Sequence, residues 1–146
     1  MPRALGTAVT AQAADLANID TGATGSILIH KYEAGSLTAD GTADGLTATG
    51  GDPVAGVVFT AYRITNLDLT TQGAWDGLAD VLVPADACGS DNRTPQFGNY
   101  TFDAGTASAA TDGNGQTSIN PLPVAAHLVC ETSAPSTVQT DAAPSW

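Results

Sequence analysis

Apolar and polar positions alternate most cleanly in two segments, Gly25 to Glu33 near the start of the chain and Leu122 to Thr132 near its end. Strand side chains repeat every two residues, so Ile27, Ile29 and Lys31 share one face of the first segment, and Val129 and Glu131 share one face of the second. Each apolar stripe therefore ends on a charge. Burying a lone ammonium or carboxylate is costly unless it is paired, which marks Lys31 and Glu131 as the place to look for chemistry.

Patterning predicts the other elements. The first strand spans Ser26 to Tyr32, and a second, β-branched and aromatic, follows the turn residues Asp52-Pro53. In the second strand Val57, Phe59 and Ala61 form one face and Val58, Thr60 and Tyr62 the other. Thr70-Thr71 can cap a short helix whose apolar positions Trp75, Leu78, Ala79 and Leu82 recur at three and four residues, ending before Pro84. Phe97 to Phe102 reads as a short strand. Asp112-Gly113 and Asn114-Gly115 mark a tight turn that introduces a strand pair, Gln116 to Ile119 and Ala125 to Thr132. Gly35 to Asp52 and Ala85 to Gln96 lack a hydrophobic period and read as surface loops.

Composition narrows the function. A chain of 146 residues suits one compact domain, and a formal net charge of −11 with four Lys+Arg repels nucleic acid and anionic membranes alike. Sixteen glycines and a surface of Thr, Ser and Asp give an extracellular style of composition. No apolar run approaches the length of a membrane-spanning helix. The stretch ending at Ala11-Gln12-Ala13 resembles the tail of a secretory signal peptide, so residues 1–20 read as a signal remnant and linker and 21–146 as the folded domain.

An even pair of cysteines in an exported domain usually closes a disulfide, and a Cys88–Cys130 bond would restrict the unfolded chain by about 4 kcal/mol; the alternative is two unrelated small hydrophobes. No His/Cys cluster has metal spacing and no glycine-rich phosphate loop precedes a helix, so neither metal nor cofactor is expected. Asp112 and Asn114 have calcium-loop spacing, but Pro123 stands where a bidentate acid would fall, which favours a turn. His30 and His127 read as half-buried packing residues. Asn92-Arg93-Thr94 and Asn99-Tyr100-Thr101 match the glycosylation pattern, which matters only in a eukaryotic secretory route.

Gly25 to Glu33, Pro53 to Tyr62, Thr111 to Gly115 and Leu122 to Thr132, in this order and spacing, resemble the N-terminal domain of Gram-positive sortase-assembled pilins. Gln72-Gly73-Ala74-Trp75 resembles that domain's helical insertion. The resemblance implies an all-β fold: an immunoglobulin-like, collagen-adhesin B-type β-sandwich with one short helical insertion, truncated here before its last strands. It implies a structural subunit of a pilus or fimbria, secreted and cell-wall anchored, linked to other pilin subunits by a sortase.

In that family a first-strand lysine can form an isopeptide bond with a last-strand asparagine, promoted by a glutamate, and Lys31 and Glu131 stand at the matching positions. Burial among apolar groups favours a neutral amine as nucleophile and a neutral carboxylic acid that polarises the carboxamide. The partner asparagine and the lysine that sortase links have no counterpart in this chain, and Ala125 and His127 replace the usual Gly and Tyr beside Glu131. Without the bond, Lys31 would snorkel to the sandwich edge or pair with Glu131. A disulfide at Cys130, on the face opposite Glu131, would pin the helical insertion to the outer sheet. The rival reading is an adhesin module of the same fold that binds a host surface protein or glycan through its long loops. An enzyme is poorly supported, because no nucleophile or pair of acids is placed for catalysis.

Overall fold

The computed structural model describes residues 19–34, 36 and 51–137. The proposed signal remnant and most of the Gly35 to Asp52 loop lie outside the described residues. Among the described residues, five strands and one helix follow in the order β1 (Thr24–His30), β2 (Val58–Arg63), α1 (Gln72–Ala79), β3 (Thr106–Ala107), β4 (Gln116–Pro123) and β5 (His127–Ser133). They form two antiparallel sheets, β1-β4 and β3-β2-β5. This is the all-β, immunoglobulin-like architecture with one short helix.

The sheets meet through the side chains that alternation assigns inward. Val57, Phe59 and Ala61 from the β2 region, Val129 from β5, and Ile119 and Leu122 from β4 form the central core, with Ile27 and Ile29 of β1 packed against it. Apolar burial between two sheets is the main force holding such a sandwich closed. The alternate residues of β2 and β5 face away, and there a second cluster forms from Tyr62, Ala87, Cys88, Leu128 and Cys130, with Val83, Phe97 and Phe102 against it. The segment after α1 thus covers the outer face of the three-stranded sheet. A Cys88–Cys130 disulfide fastens it, and the Tyr62 hydroxyl donates to the Arg93 carbonyl at 3.0 Å.

Four expectations need correction. The first strand lies at Thr24–His30, two residues earlier than alternation suggests, and Lys31 follows it directly. Phe97 to Phe102 is not a strand: a turn closes from Tyr100 N–H to the Phe97 carbonyl at 3.1 Å, and Phe102 makes a single bridge to Ile64. Both phenylalanines serve as packing against the outer cluster, which explains their apolar character without a ladder. The strands after the Asp112 turn do not pair with each other. β4 pairs with β1 while β5 crosses to the other sheet and pairs with β2, burying the inner faces of both.

The fourth correction concerns α1. Thr71 caps it as expected, its hydroxyl accepting from Ala74 N–H at 3.4 Å, but the residue it buries is Ala74. Trp75 is 44% exposed and Leu82 89% exposed, so the periodic apolar face does not point into the core. The helix ends at Ala79, short of Leu82, and packs through Ala74, with Leu78 half-buried and Trp75 left outward.

Candidate functional site

Lys31 and Glu131 occupy the inter-sheet layer at the same end of the sandwich. Lys31 continues the Ile27 and Ile29 stripe; Glu131 continues that of Val129 and lies opposite Phe59 in the ladder. Their side chains are 11% and 1% exposed, and Lys31 Nζ donates to Glu131 Oε2 at 3.1 Å. Among the described residues this is the one ion pair. Of the two alternatives to a covalent bond, the structure therefore shows the ion pair rather than a lysine escaping to solvent.

Backbone contacts fix the lysine from both sides. Its N–H donates to the Gly115 carbonyl at 2.7 Å, and its carbonyl accepts from Val54 N–H at 3.0 Å. Gly115 closes the Asp112 turn with φ at 71°, where a glycine carries no steric cost, and a Cβ there would collide with the Lys31 carbonyl oxygen. Asp112 organises the turn through one carboxylate oxygen, Oδ1, which accepts from Asn114 N–H at 2.8 Å and Gln116 N–H at 3.0 Å. The Asp/Asn spacing is thus explained by turn formation. Thr111, just before it and buried, donates its hydroxyl to the Val54 carbonyl at 2.7 Å and accepts from Val57 N–H at 3.0 Å. Val54, Thr111 and Gly115 escaped the sequence reading as site residues. The turn dipeptides were visible, but nothing local says that they close on Lys31.

On the opposite face of β5, Cys130 is fully buried in its disulfide with Cys88, whose Cα atoms are 5.8 Å apart. One strand therefore carries the crosslink on its outer face and Glu131, the next residue, on its inner face. His127 begins the same inner stripe that Glu131 ends. Its Nδ1 lies 3.1 Å from the Ala125 carbonyl, a contact that puts the ring proton on Nδ1, and its buried Nε2 makes no hydrogen bond. Burial holds its pKa below the usual histidine value, partly offset by the Ala125 contact and nearby Asp103. The ring is more deeply buried than half, at 9% exposure.

Chemically, a buried amine in contact with a buried carboxyl group forms a proton-transfer pair. No group of three or more His, Cys, Asp or Glu among the described residues could hold a metal ion. Nor is any helix among them long and apolar enough to cross a membrane.

Three comparisons bear on this arrangement. A fimbrial subunit type 2 of Actinomyces naeslundii is 40% identical over 149 residues, an alignment that covers 96% of this chain and 28% of the relative. The solved structure of the fimbrial protein FimP from Actinomyces oris superposes with a TM-score of 0.54 at 27% identity, covering 86% of this chain and 25% of that one. The chain thus spans about a quarter of the length of these relatives. The profile of the Gram-positive pilin subunit D1, N-terminal domain, matches residues 22–146. With that match over most of its length, the chain belongs to the family of Gram-positive pilin D1 N-terminal domains.

Proposed function

We propose that this chain is the N-terminal domain of a structural subunit of a surface pilus, exported and joined covalently to other subunits by a sortase at the cell wall. Its work is mechanical rather than catalytic. The observation that carries this reading is the Lys31–Glu131 pair, 3.1 Å apart and buried between the sheets of a pilin-family domain. In the longer protein Lys31 Nζ attacks the side-chain carboxamide of an asparagine on a strand beyond this segment. The C–N bond to the lysine forms as the amide C–N bond breaks, ammonia leaves, and Glu131 shuttles the proton. The product is an amide that ties the first strand to the last, so tension along the fibre passes through a covalent bond. The Cys88–Cys130 disulfide secures the other face of β5 against the same load.

Support for the pilus role comes from the family and from the fimbrial relatives. Its test is an immunoblot of wall fractions from the native host, probed for this domain after boiling in detergent. A ladder of covalent multimers that collapses to monomer when the sortase gene is deleted fits the proposal. A single monomeric band in the parent strain contradicts it.

A further inference from the structure

Lys31 and Glu131 are held by different means. Glu131 lies inside β5, in register with Phe59 and next to the disulfide-bonded Cys130. Lys31 stands one position beyond the last residue of β1, so the ladder that orders Ile27 and Ile29 stops short of it. Its main chain is fixed by loops instead, and its bonds to Gly115 and Val54 both lead back to residues 111–116. On one side Asp112 folds the turn that presents the Gly115 carbonyl. Its own carbonyl accepts from Gly115 N–H at 2.9 Å and its N–H donates to the Gln116 carbonyl at 3.0 Å, besides the two amides that Oδ1 accepts. On the other side Thr111 stitches down the segment that carries Val54. Besides its hydroxyl bonds to Val54 and Val57, its N–H donates to the Val57 carbonyl at 2.8 Å and its carbonyl accepts from Gly56 N–H at 2.9 Å.

A nucleophile and its target must meet within about 3–3.5 Å, and a misplacement of about 1 Å can slow a reaction about a hundredfold. Of the two side chains, the lysine is the one whose placement depends on a turn. We infer that Thr111 and Asp112 are positioning residues for formation of the Lys31 amide: they set where Nζ stands relative to Glu131 and to the incoming carboxamide, and so the rate at which the bond forms. This rests on the bond-forming role proposed for the pair and adds that its rate is set from outside it. The Asp112 carboxylate is exposed and bonds the main chain of its own turn. Thr111 is buried, and loss of its hydroxyl deprives the fully buried Val57 of the acceptor for its N–H. Neither residue exchanges atoms in the step, in which the carboxamide still loses ammonia to the lysine amine.

The test uses the longer protein containing the following strand, sampled from a brief pulse of expression onward, with the fraction of chains crosslinked at Lys31 read by peptide mass mapping. In Asp112→Ala and Thr111→Val the crosslink should form at least about tenfold more slowly than in wild type. Asp112→Asn keeps an Oδ1 acceptor for the same amides and should restore the wild-type rate. Asp112→Ser accepts them more weakly, keeps the turn where the alanine variant fails to fold, and should still lag behind wild type. Tyr62→Phe removes a hydrogen bond on the outer face of the sheet, away from the lysine, and should crosslink as wild type does. A wild-type rate in Asp112→Ser and Thr111→Val overturns the inference and leaves the role of the pair standing. So does an Asp112→Asn variant as slow as Asp112→Ala, or a Tyr62→Phe variant slowed as much. A wild-type protein that never crosslinks overturns the reading of the pair itself.

Discussion

Lys31 Nζ and Glu131 Oε2 lie 3.1 Å apart although their residues are a hundred positions apart in the chain. Both side chains are nearly fully withdrawn from solvent. A contact of this kind is weak evidence for stability, because the desolvation of both charges offsets most of their attraction. On the proposed function it is a reactive pair held in readiness, and the energetics can be checked directly. Lys31→Met or Glu131→Leu alone should destabilise the domain by about 3–5 kcal/mol, since each leaves the other charge buried without its countercharge. The double variant Lys31→Met/Glu131→Leu should recover most of that loss. Urea unfolding of the three variants measures the coupling, and equal, additive losses would mean that the two side chains act independently.

The clamp on Lys31 predicts a second effect. Gly115→Ala places a methyl group where the Lys31 carbonyl oxygen sits and forces an alanine to a φ of 71°. The expected loss is at least about 1–3 kcal/mol, the usual range for a strained backbone position. Gly113→Ala, where nothing lies within 4 Å of the added carbon, is the control and should change stability far less. Thermal unfolding of the two variants separates a specific clamp from a general intolerance of the turn.

Reducing the Cys88–Cys130 disulfide, or replacing both cysteines by alanine, should cost about 2–5 kcal/mol. Thiol labelling in denaturant without reductant should leave both cysteines unmodified, whereas labelling of both would show that the bond does not form. Because the bond pins the 83–102 segment over Tyr62 and Leu128, its loss should also raise amide exchange there before it does so in β1 and β4.

His127 predicts a pH dependence with a definite sign. Its folded pKa is held below the unfolded value of 6.5. The unfolded chain therefore takes up a proton first as pH falls, and stability declines from about pH 6.5 downward until the folded group also titrates. Protonation would place a donor on Nε2 where the structure offers no acceptor. His127→Gln should flatten the stability profile over that window. A profile of the same slope in the variant would assign the effect to other groups.

Much of the fold was legible in the sequence because sandwich strands advertise themselves by period. Ile27, Ile29 and Lys31 on one side, and Val57, Phe59 and Ala61 on the other, could be assigned inward from alternation alone. The candidate pair was legible for the same reason: a charge that ends an apolar stripe is anomalous wherever it occurs. What escaped was decided by contacts distant in sequence. Phe97 and Phe102 look like strand residues because they are apolar, yet they lie in a loop that packs them, half-buried, against the outer cluster. The period announced α1, but the helix ends at Ala79, short of Leu82, and no local signal says that Ala74 rather than Trp75 meets the sheet. Partners were likewise hidden: β4 and β5 are neighbours in sequence and lie in different sheets.

The claim that Lys31 and Glu131 are the lysine and acid of a bond-forming site is tested most directly by intact mass spectrometry of the longer protein containing the strand that follows this segment. The account predicts a mass about 17 Da below the sequence value after allowance for the disulfide, corresponding to one lost ammonia. It further predicts the full mass in Lys31→Ala and in Glu131→Ala. A wild-type protein at its full sequence mass, or a deficit that persists in Lys31→Ala, would contradict it.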